Sequence, residues 1–298
     1  MIHYSSQEEK HMNIEGILVP IVTPFTADNQ ADTALLAELV DAFIAKGVRG
    51  IVACGTTGEY YALSEAERET VLNTIVKAAA GRCTLIAGVS DMSSEVAAQR
   101  AIRAKELGYD GLMLSAPPYS LPSQQGIIEH FEYVASKTDL PIILYNFPAR
   151  IGVELEFETV AHLSKHPNIV GIKESTGNFS NALRMIQAKF DNFQVVCGCD
   201  DQPLDFFFWG VKSWIAGAAN VFPGEQVALF NAAQAQDWDK ARQILTDLYP
   251  ALHSMESGDY NQKAKIGCLN GTKPAGKVRL PLHNLTAQEA AEFTALLK

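Results

Sequence analysis

The stretch "IVGIKEST", Ile169 to Thr176, is a run of apolar and β-branched residues that carries one lysine near its end. The run is almost continuously apolar rather than alternating, as expected of a strand covered on both faces. Seven more runs share that character: "GILVPIV", "GIVACG", "CTLIAGV", "DGLMLSA", "PIILYN", "FQVVCG" and "SWIAGAAN". Helix-like segments lie between them. "DTALLAELVDAFIAKG" has apolar residues at helical spacing and ends in glycine, and "LSEAERETVLNTIVKAAAG" opens with Ser64 and Glu67 at capping-box spacing. Strands alternating with helices imply parallel pairing through right-handed crossovers. About eight such units in one chain fit an α/β fold of the TIM (β/α)8 barrel type, for which roughly 250 residues is typical. An open doubly wound sheet is the alternative, but no G-x-G-x-x-G follows the first run.

From about Glu225 the strands stop, and "VALFNAAQAQDWDKARQILTDLYPALHSM" and "LTAQEAAEFTALLK" are helical patterns. The expected division is a loose extension over residues 1–12, the barrel over 13–224, and a helical region over 225–298 packed on it. The first residues are polar and lack the apolar core of a signal peptide. No apolar run reaches the roughly 18 residues of a membrane span.

The chain has 298 residues, 47% of them hydrophobic and 19% charged, and a formal net charge of -10. That charge disfavours nucleic acid or an anionic membrane as main partner, since both need clustered Lys and Arg. Five cysteines, an odd number mostly within apolar runs, read as reduced thiols in a cytoplasmic protein. Neither the cysteines nor the seven histidines show a metal-ligand spacing, so no metal is expected.

In a TIM barrel the chemistry sits where strands end and βα loops begin. Lys173 ends the run that opened this section. In an apolar barrel mouth an amine loses hydration, its neutral form is favoured, and a neutral amine can form a Schiff base with a ketone. A lysine that snorkels to solvent or pairs with Glu174 is the plainer alternative. Tyr145 ends the preceding run, 28 positions earlier (173 − 145). Adjacent parallel strands lie roughly 4.8 Å apart, so both side chains can share one mouth. A phenol there can shuttle protons, or simply pack its ring. "GTTGE", Gly55 to Glu59, lies between a strand and a capped helix and suits a carboxylate, or is an ordinary tight turn. Arg150 can fork onto a second carboxylate, or stand as a surface cation.

Together "GTTGE", "YNFPAR", "GIKESTGN" and the Tyr-to-Lys interval resemble the dihydrodipicolinate synthase / N-acetylneuraminate lyase family, over about Ile17 to Leu282. The resemblance implies a class I lyase acting through a lysine imine on pyruvate or a related 2-oxo acid, with an aldehyde as partner and no separate cofactor. By that resemblance Lys173 forms the imine and Tyr145 donates and accepts protons. Thr57 holds the keto-acid carboxylate, and Thr56 hydrogen-bonds Tyr145 in a proton relay. Tyr119 is the relay's far tyrosine, supplied across a dimer interface. Ile215 lines the pyruvate pocket, Gly198 lies near the second substrate, and Arg150 binds the carboxylate of aspartate semialdehyde. The assembly implied is a homotetramer, a dimer of dimers.

Several positions depart from the synthase branch. Pro118-Tyr119 stands where paired tyrosines are common, Ile151 follows the arginine, and Tyr60 and Tyr61 follow "GTTGE". Glu65 and Arg68 replace histidines that bind inhibitory lysine in some synthases, so no such inhibition is expected. Two tyrosines at the loop would floor a site for a different aldehyde or a 2-keto-3-deoxy sugar acid. A non-catalytic 2-oxo acid binding protein would need the carboxylate loop but not the relay. A metal-dependent aldolase would need ligand spacings that are not seen.

Overall fold

The computed structural model describes residue 12 and residues 14–297. The expected loose extension therefore lies outside the described residues except for Met12, which is half-buried against the barrel interior.

Eight strands form one closed parallel barrel in sequence order. They are β1 (Gly16–Pro20), β2 (Gly50–Ala53), β3 (Thr84–Gly88), β4 (Gly111–Ser115), β5 (Ile142–Asn146), β6 (Ile169–Glu174), β7 (Gln194–Cys197) and β8 (Ser213–Ile215). The last closes on the first, with Gly16 opposite Ser213. Every strand falls within one of the apolar runs. Strands buried on both faces have no need of a polar alternate residue, which is why the runs are continuous.

The intervening helices are α1 (Thr33–Ala45), α2 (Glu65–Ala79), α3 (Ser94–Glu106), α4 (Gln124–Ala135), α5 (Pro148–Ile151), α6 (Phe157–Leu163), α7 (Phe179–Ala188) and α8 (Pro203–Phe208). Side-chain caps start several of them. Ser64 and Glu67 form the expected reciprocal capping box at α2, and Asp32, Ser93 and Ser123 cap α1, α3 and α4. After β8 come α9 (Pro223–Gln234), α10 (Trp238–Glu256), α11 (Tyr260–Ile266) and α12 (Ala287–Thr294). The expected boundary after residue 224 falls in the first turn of α9. No described helix is long and apolar enough to cross a membrane.

The core has two layers. Inside the barrel, Leu18, Val52, Ile86, Ile143, Val196 and Ile215 pack on one another. Outside it, the cluster between strands and helices runs from Ile17 to Phe293, so the C-terminal helices share the barrel's own core. Burial of each large aliphatic side chain contributes about 1.5–3 kcal/mol, and the interior layer seals the barrel beneath its mouth.

One irregularity decides where the site lies. Ile142 pairs with Ile169, but Ile143 pairs with Gly171, so β6 carries one extra residue there. Side chains alternate in and out along a strand, and a one-residue slip reverses every later one. After the slip Tyr145 lies opposite Lys173 rather than opposite Ile172. Gly171, the first β6 residue after the slip, has no room for a side chain, since a Cβ there would lie 2.6 Å from the Gln194 carbonyl oxygen of β7.

Candidate active site

At the C-terminal ends of the strands a cavity of about 320 Å³ opens. Lys173 and Tyr145 line it, each only 6% exposed. The Lys173 amine lies 4.3 Å from the centre of the Tyr145 ring. Among the described residues no carboxylate pairs with Lys173.

The expected competitor, Glu174, points the other way. Its carboxylate accepts hydrogen bonds from Asn146 Nδ2 at 3.0 Å and from the Thr176 amide at 2.8 Å. Burial raises the pKa of Glu174 against the pull of those donors. The alternation of β6 thus sends the amine into the cavity and the carboxylate behind the barrel wall. Gly198 also lines the cavity and leaves room for the lysine stem, because a Cβ there would stand 2.9 Å from Lys173 Cγ.

Thr56 and Thr57 line the cavity from the loop after β2. Neither hydroxyl is engaged by a partner within the described residues. Arg150, at the end of α5, lines the outer part with its guanidinium 6.0 Å from the centre of the Phe147 ring. Six of the eight expected site residues therefore meet in one cavity: Lys173, Tyr145, Thr56, Thr57, Arg150 and Gly198.

Two do not. Ile215 packs in the barrel interior with Tyr145, beneath the cavity rather than on its wall. Tyr119 is 89% exposed in the loop between β4 and α4, with φ +71°, and does not reach the cavity. The expected hydrogen bond from Thr56 to Tyr145 is not formed. What is fixed of Thr56 is its backbone, whose carbonyl accepts from Asn261 Nδ2 and the Glu59 amide. Tyr60 and Tyr61 do not floor the cavity either. They form a 3₁₀ turn with their rings edge to face, and Tyr61 receives a hydrogen bond from Asn261 at 3.2 Å.

The outer wall holds Asp200 and Asp201 from the loop after β7, and Glu256, Tyr260 and Asn261 from the helical region, which no strand end marks. Asp200 is 3% exposed; Oδ2 accepts from the Tyr260 hydroxyl and from the Ala218 amide, while Oδ1 has no protein partner. Burial raises the pKa of Asp200, and burial raises the Tyr260 phenol well above its usual range. Partial burial of its carboxylate, and then the Asp200 and Asp201 carboxylates, push Glu256 up to about 7, although the residue as a whole is exposed. Cys199, also in the cavity, is pushed up to about 12 by burial and is no thiolate nucleophile at neutral pH. Asp200 and Asp201 end the stretch "GCDD" just after β7, whereas Glu256 closes α10 and Tyr260 and Asn261 open α11.

A model of the dihydrodipicolinate synthetase family matches residues 13–298. The 4-hydroxy-tetrahydrodipicolinate synthase of Exiguobacterium sibiricum is 37% identical over 268 residues, which is 90% of this chain and 92% of that one. The crystal structure of dihydrodipicolinate synthase from Aquifex aeolicus matches with a TM-score of 0.88 and 33% identity, covering 95% of this chain and 97% of that one. A chloride-inhibited dihydrodipicolinate synthase from Acinetobacter baumannii, solved with pyruvate, matches with a TM-score of 0.87 and 31% identity over 96% of this chain and 98% of its own.

Proposed function

This chain belongs to the dihydrodipicolinate synthetase family, and from that membership we propose that it is a class I lyase in which Lys173 condenses with the ketone of pyruvate. The observation that carries the reading is the register pairing of Lys173 with Tyr145 at the wall of a cavity, with the amine in no salt bridge among the described residues.

The Lys173 nitrogen adds to the keto carbon, and loss of water gives the imine. The protonated imine is an electron sink that stabilises the enamine formed when the methyl carbon loses a proton. The enamine carbon then attacks the aldehyde, and water releases the product from the lysine. The reverse order cleaves an aldol. Tyr145 is the group placed to move protons in these steps, worth about 10²- to 10⁴-fold in such a role. The free hydroxyl of Thr57, with the glycine-rich backbone around it, holds the pyruvate carboxylate, and the hydroxyl of Thr56 in the same loop joins Tyr145 and Tyr119 in the proton relay. No separate cofactor or metal is needed, because the iminium supplies the positive charge, and EDTA is expected to leave the rate unchanged.

Arg150 suits the carboxylate of an aldehyde such as aspartate semialdehyde, as in a 4-hydroxy-tetrahydrodipicolinate synthase, with Gly198 beside it. One observation favours a second partner. The outer wall is rich in acceptors, namely Asp200, Asp201 and Glu256, which suit the hydroxyls of a 2-keto-3-deoxy sugar acid. Arg68 is buried, donating to the Gly88 carbonyl, and Glu65 is paired with Arg100, so neither offers the amine of L-lysine a histidine-like site. L-lysine is expected not to inhibit.

Exposed Tyr119 completes its relay only if it enters a neighbouring subunit's site, which supports a dimer as the active unit and a dimer of dimers as the assembly. Five cysteines without a disulfide suit the cytoplasm. Neither nucleic acid nor a membrane is a partner on this reading, only the 2-oxo acid and the aldehyde.

Incubation with pyruvate, reduction with borohydride and peptide mapping tests the reading. A reduced pyruvate adduct on Lys173 is expected; no adduct, or one on another lysine, overturns it. A panel of aspartate semialdehyde, N-acetylneuraminate and 2-keto-3-deoxy acids then separates the partners.

A further inference from the structure

The last residue of "GTTGE" is the most buried charged group near the cavity. Glu59 is fully buried, and its backbone sits in the left-handed region at φ +54°. Its Oε1 lies 2.6 Å from Lys265 Nζ of α11, a residue itself 1% exposed. Its Oε2 accepts from the Arg279 amide at 2.9 Å. Lys265 donates also to the Lys277 carbonyl at 2.8 Å and lies over the Phe25 ring. One turn earlier on the same helix, Asn261 donates to the Thr56 carbonyl at 3.1 Å. Nothing in the proposed chemistry uses either α11 residue.

We propose that Lys265 and Asn261 are positioning residues that fix the Thr56–Thr57 loop and so set the affinity for the carboxylate of the keto acid. The proposal rests on the imine reading above.

The loop needs such a brace. Left-handed backbone at a non-glycine residue costs about 1–2 kcal/mol, so the turn does not hold itself. Both ends are tied from a helix more than 200 positions away, at Thr56 and at Glu59. Between them Thr23 donates to the Gly58 carbonyl at 2.7 Å. Every one of these ties engages the backbone or the Glu59 carboxylate, so the Thr57 hydroxyl is left for the ligand and the Thr56 hydroxyl for the relay. Preorganised donors bind without the cost of ordering a loop at each turnover. A buried ion pair is weak evidence for stability, and setting one loop geometry is the better use of it.

The test compares two ketones at the same lysine. Pyruvate has the carboxylate; acetone lacks it and forms its imine without the loop. Borohydride trapping is titrated with each, in the wild type, in Asn261→Ala and in the double variant Glu59→Gln/Lys265→Met, which removes both charges while keeping the volumes. The half-saturating pyruvate concentration is expected to rise about three- to tenfold in Asn261→Ala, the worth of one hydrogen bond, and more than tenfold in the double variant. Acetone trapping is expected to change less than twofold in both.

An equal loss for both ketones would mean general loosening of the barrel and would overturn the proposal. Unchanged pyruvate titration in folded variants would overturn it as well. Failure of the wild type to trap either ketone at Lys173 would instead sink the imine reading, and this inference with it.

Discussion

Lys173 and Lys265 are the two buried lysines of this molecule among the described residues, and both lie against an aromatic ring, 4.3 Å from Tyr145 and 3.9 Å from Phe25. They differ in everything else. Lys265 is paired with Glu59, and burial pushes it down to about 8 even so. Lys173 has no carboxylate partner and faces a cavity. Lys265 is absent from the wall of the cavity that holds Lys173, so its burial brings it to no substrate there. Access and a proton-moving neighbour, rather than burial alone, mark the reactive group.

The widest separation between the two comes from removing each amine in turn. Lys173→Ala is expected to lower turnover by on the order of 10³-fold or more and to abolish pyruvate trapping. Its stability should stay within about 1 kcal/mol of wild type, since no buried partner is left unpaired. Lys265→Met does the converse. It leaves Glu59 Oε1 and the Lys277 carbonyl without the buried amine that faces them, and urea unfolding should show a loss of about 1–3 kcal/mol. The fraction that folds should still be labelled at Lys173. Labelling that moves to Lys265 in the first variant would reverse the whole assignment.

Tyr145→Phe sharpens the contrast at the ring. Phe25 serves Lys265 with its face alone, whereas Tyr145 is assigned a hydroxyl role as well. The phenylalanine keeps the packing, so turnover is expected to fall about 10²-fold or more while trapping at high pyruvate persists. If the rate is unchanged, Tyr145 is merely the Phe25 of the other lysine.

Much of one half of this comparison was legible in the sequence. Lys173 and Tyr145 each end a continuous apolar run, and such runs are local patterns. The same is true of the Ser64–Glu67 cap and of the threonines in "GTTGE". The other half was not, because Lys265 means nothing until the fold brings it to Glu59. Asn261 and Thr56 are 205 positions apart, and no local pattern links them. Asp200 was visible in "GCDD", but its Tyr260 partner was not. Of Thr56, the structure ties down the carbonyl, through Asn261 and the Glu59 amide, and its hydroxyl makes no hydrogen bond to Tyr145.

The ionisation of Lys265 offers a smaller effect with a definite sign. Its folded pKa of about 8 lies below the ordinary value of 10.5. A base with a depressed folded pKa adds stability that is fully present above its unfolded pKa and is lost as pH falls through the folded value. Between pH 8 and pH 10 the folded state has mostly released this proton while the unfolded chain mostly keeps it. Stability measured against Glu59→Gln/Lys265→Met, which cancels all other titrations, should therefore rise by about 2 kcal/mol over that window. A flat difference would mean that the pair stays fully ionic, the attraction of Glu59 outweighing the burial of Lys265.

The smallest effect addresses how the backbone delivers one lysine to a cavity. The facing of Lys173 follows the extra residue in β6, and Gly171 beside it leaves no room for a side chain, a Cβ there lying 2.6 Å from the Gln194 carbonyl of β7. Gly171→Ala forces β6 and β7 apart or removes the slip. Loss of the slip would turn Lys173 outward and Ile172 inward, with activity falling as far as in Lys173→Ala. A tightly packed barrel instead yields by a fraction of an ångström, costing about 1–3 kcal/mol of stability. Such a displacement of a reacting amine is expected to lower turnover about tenfold, with trapping still at Lys173. The corresponding strain would not touch Lys265, which hangs from a helix and depends on no strand register, so its brace on Glu59 and the half-saturating pyruvate concentration should stay unchanged in this variant. Should pyruvate affinity fall with turnover, the two lysines are mechanically coupled through β6, and the division between a reactive amine and a bracing one no longer stands.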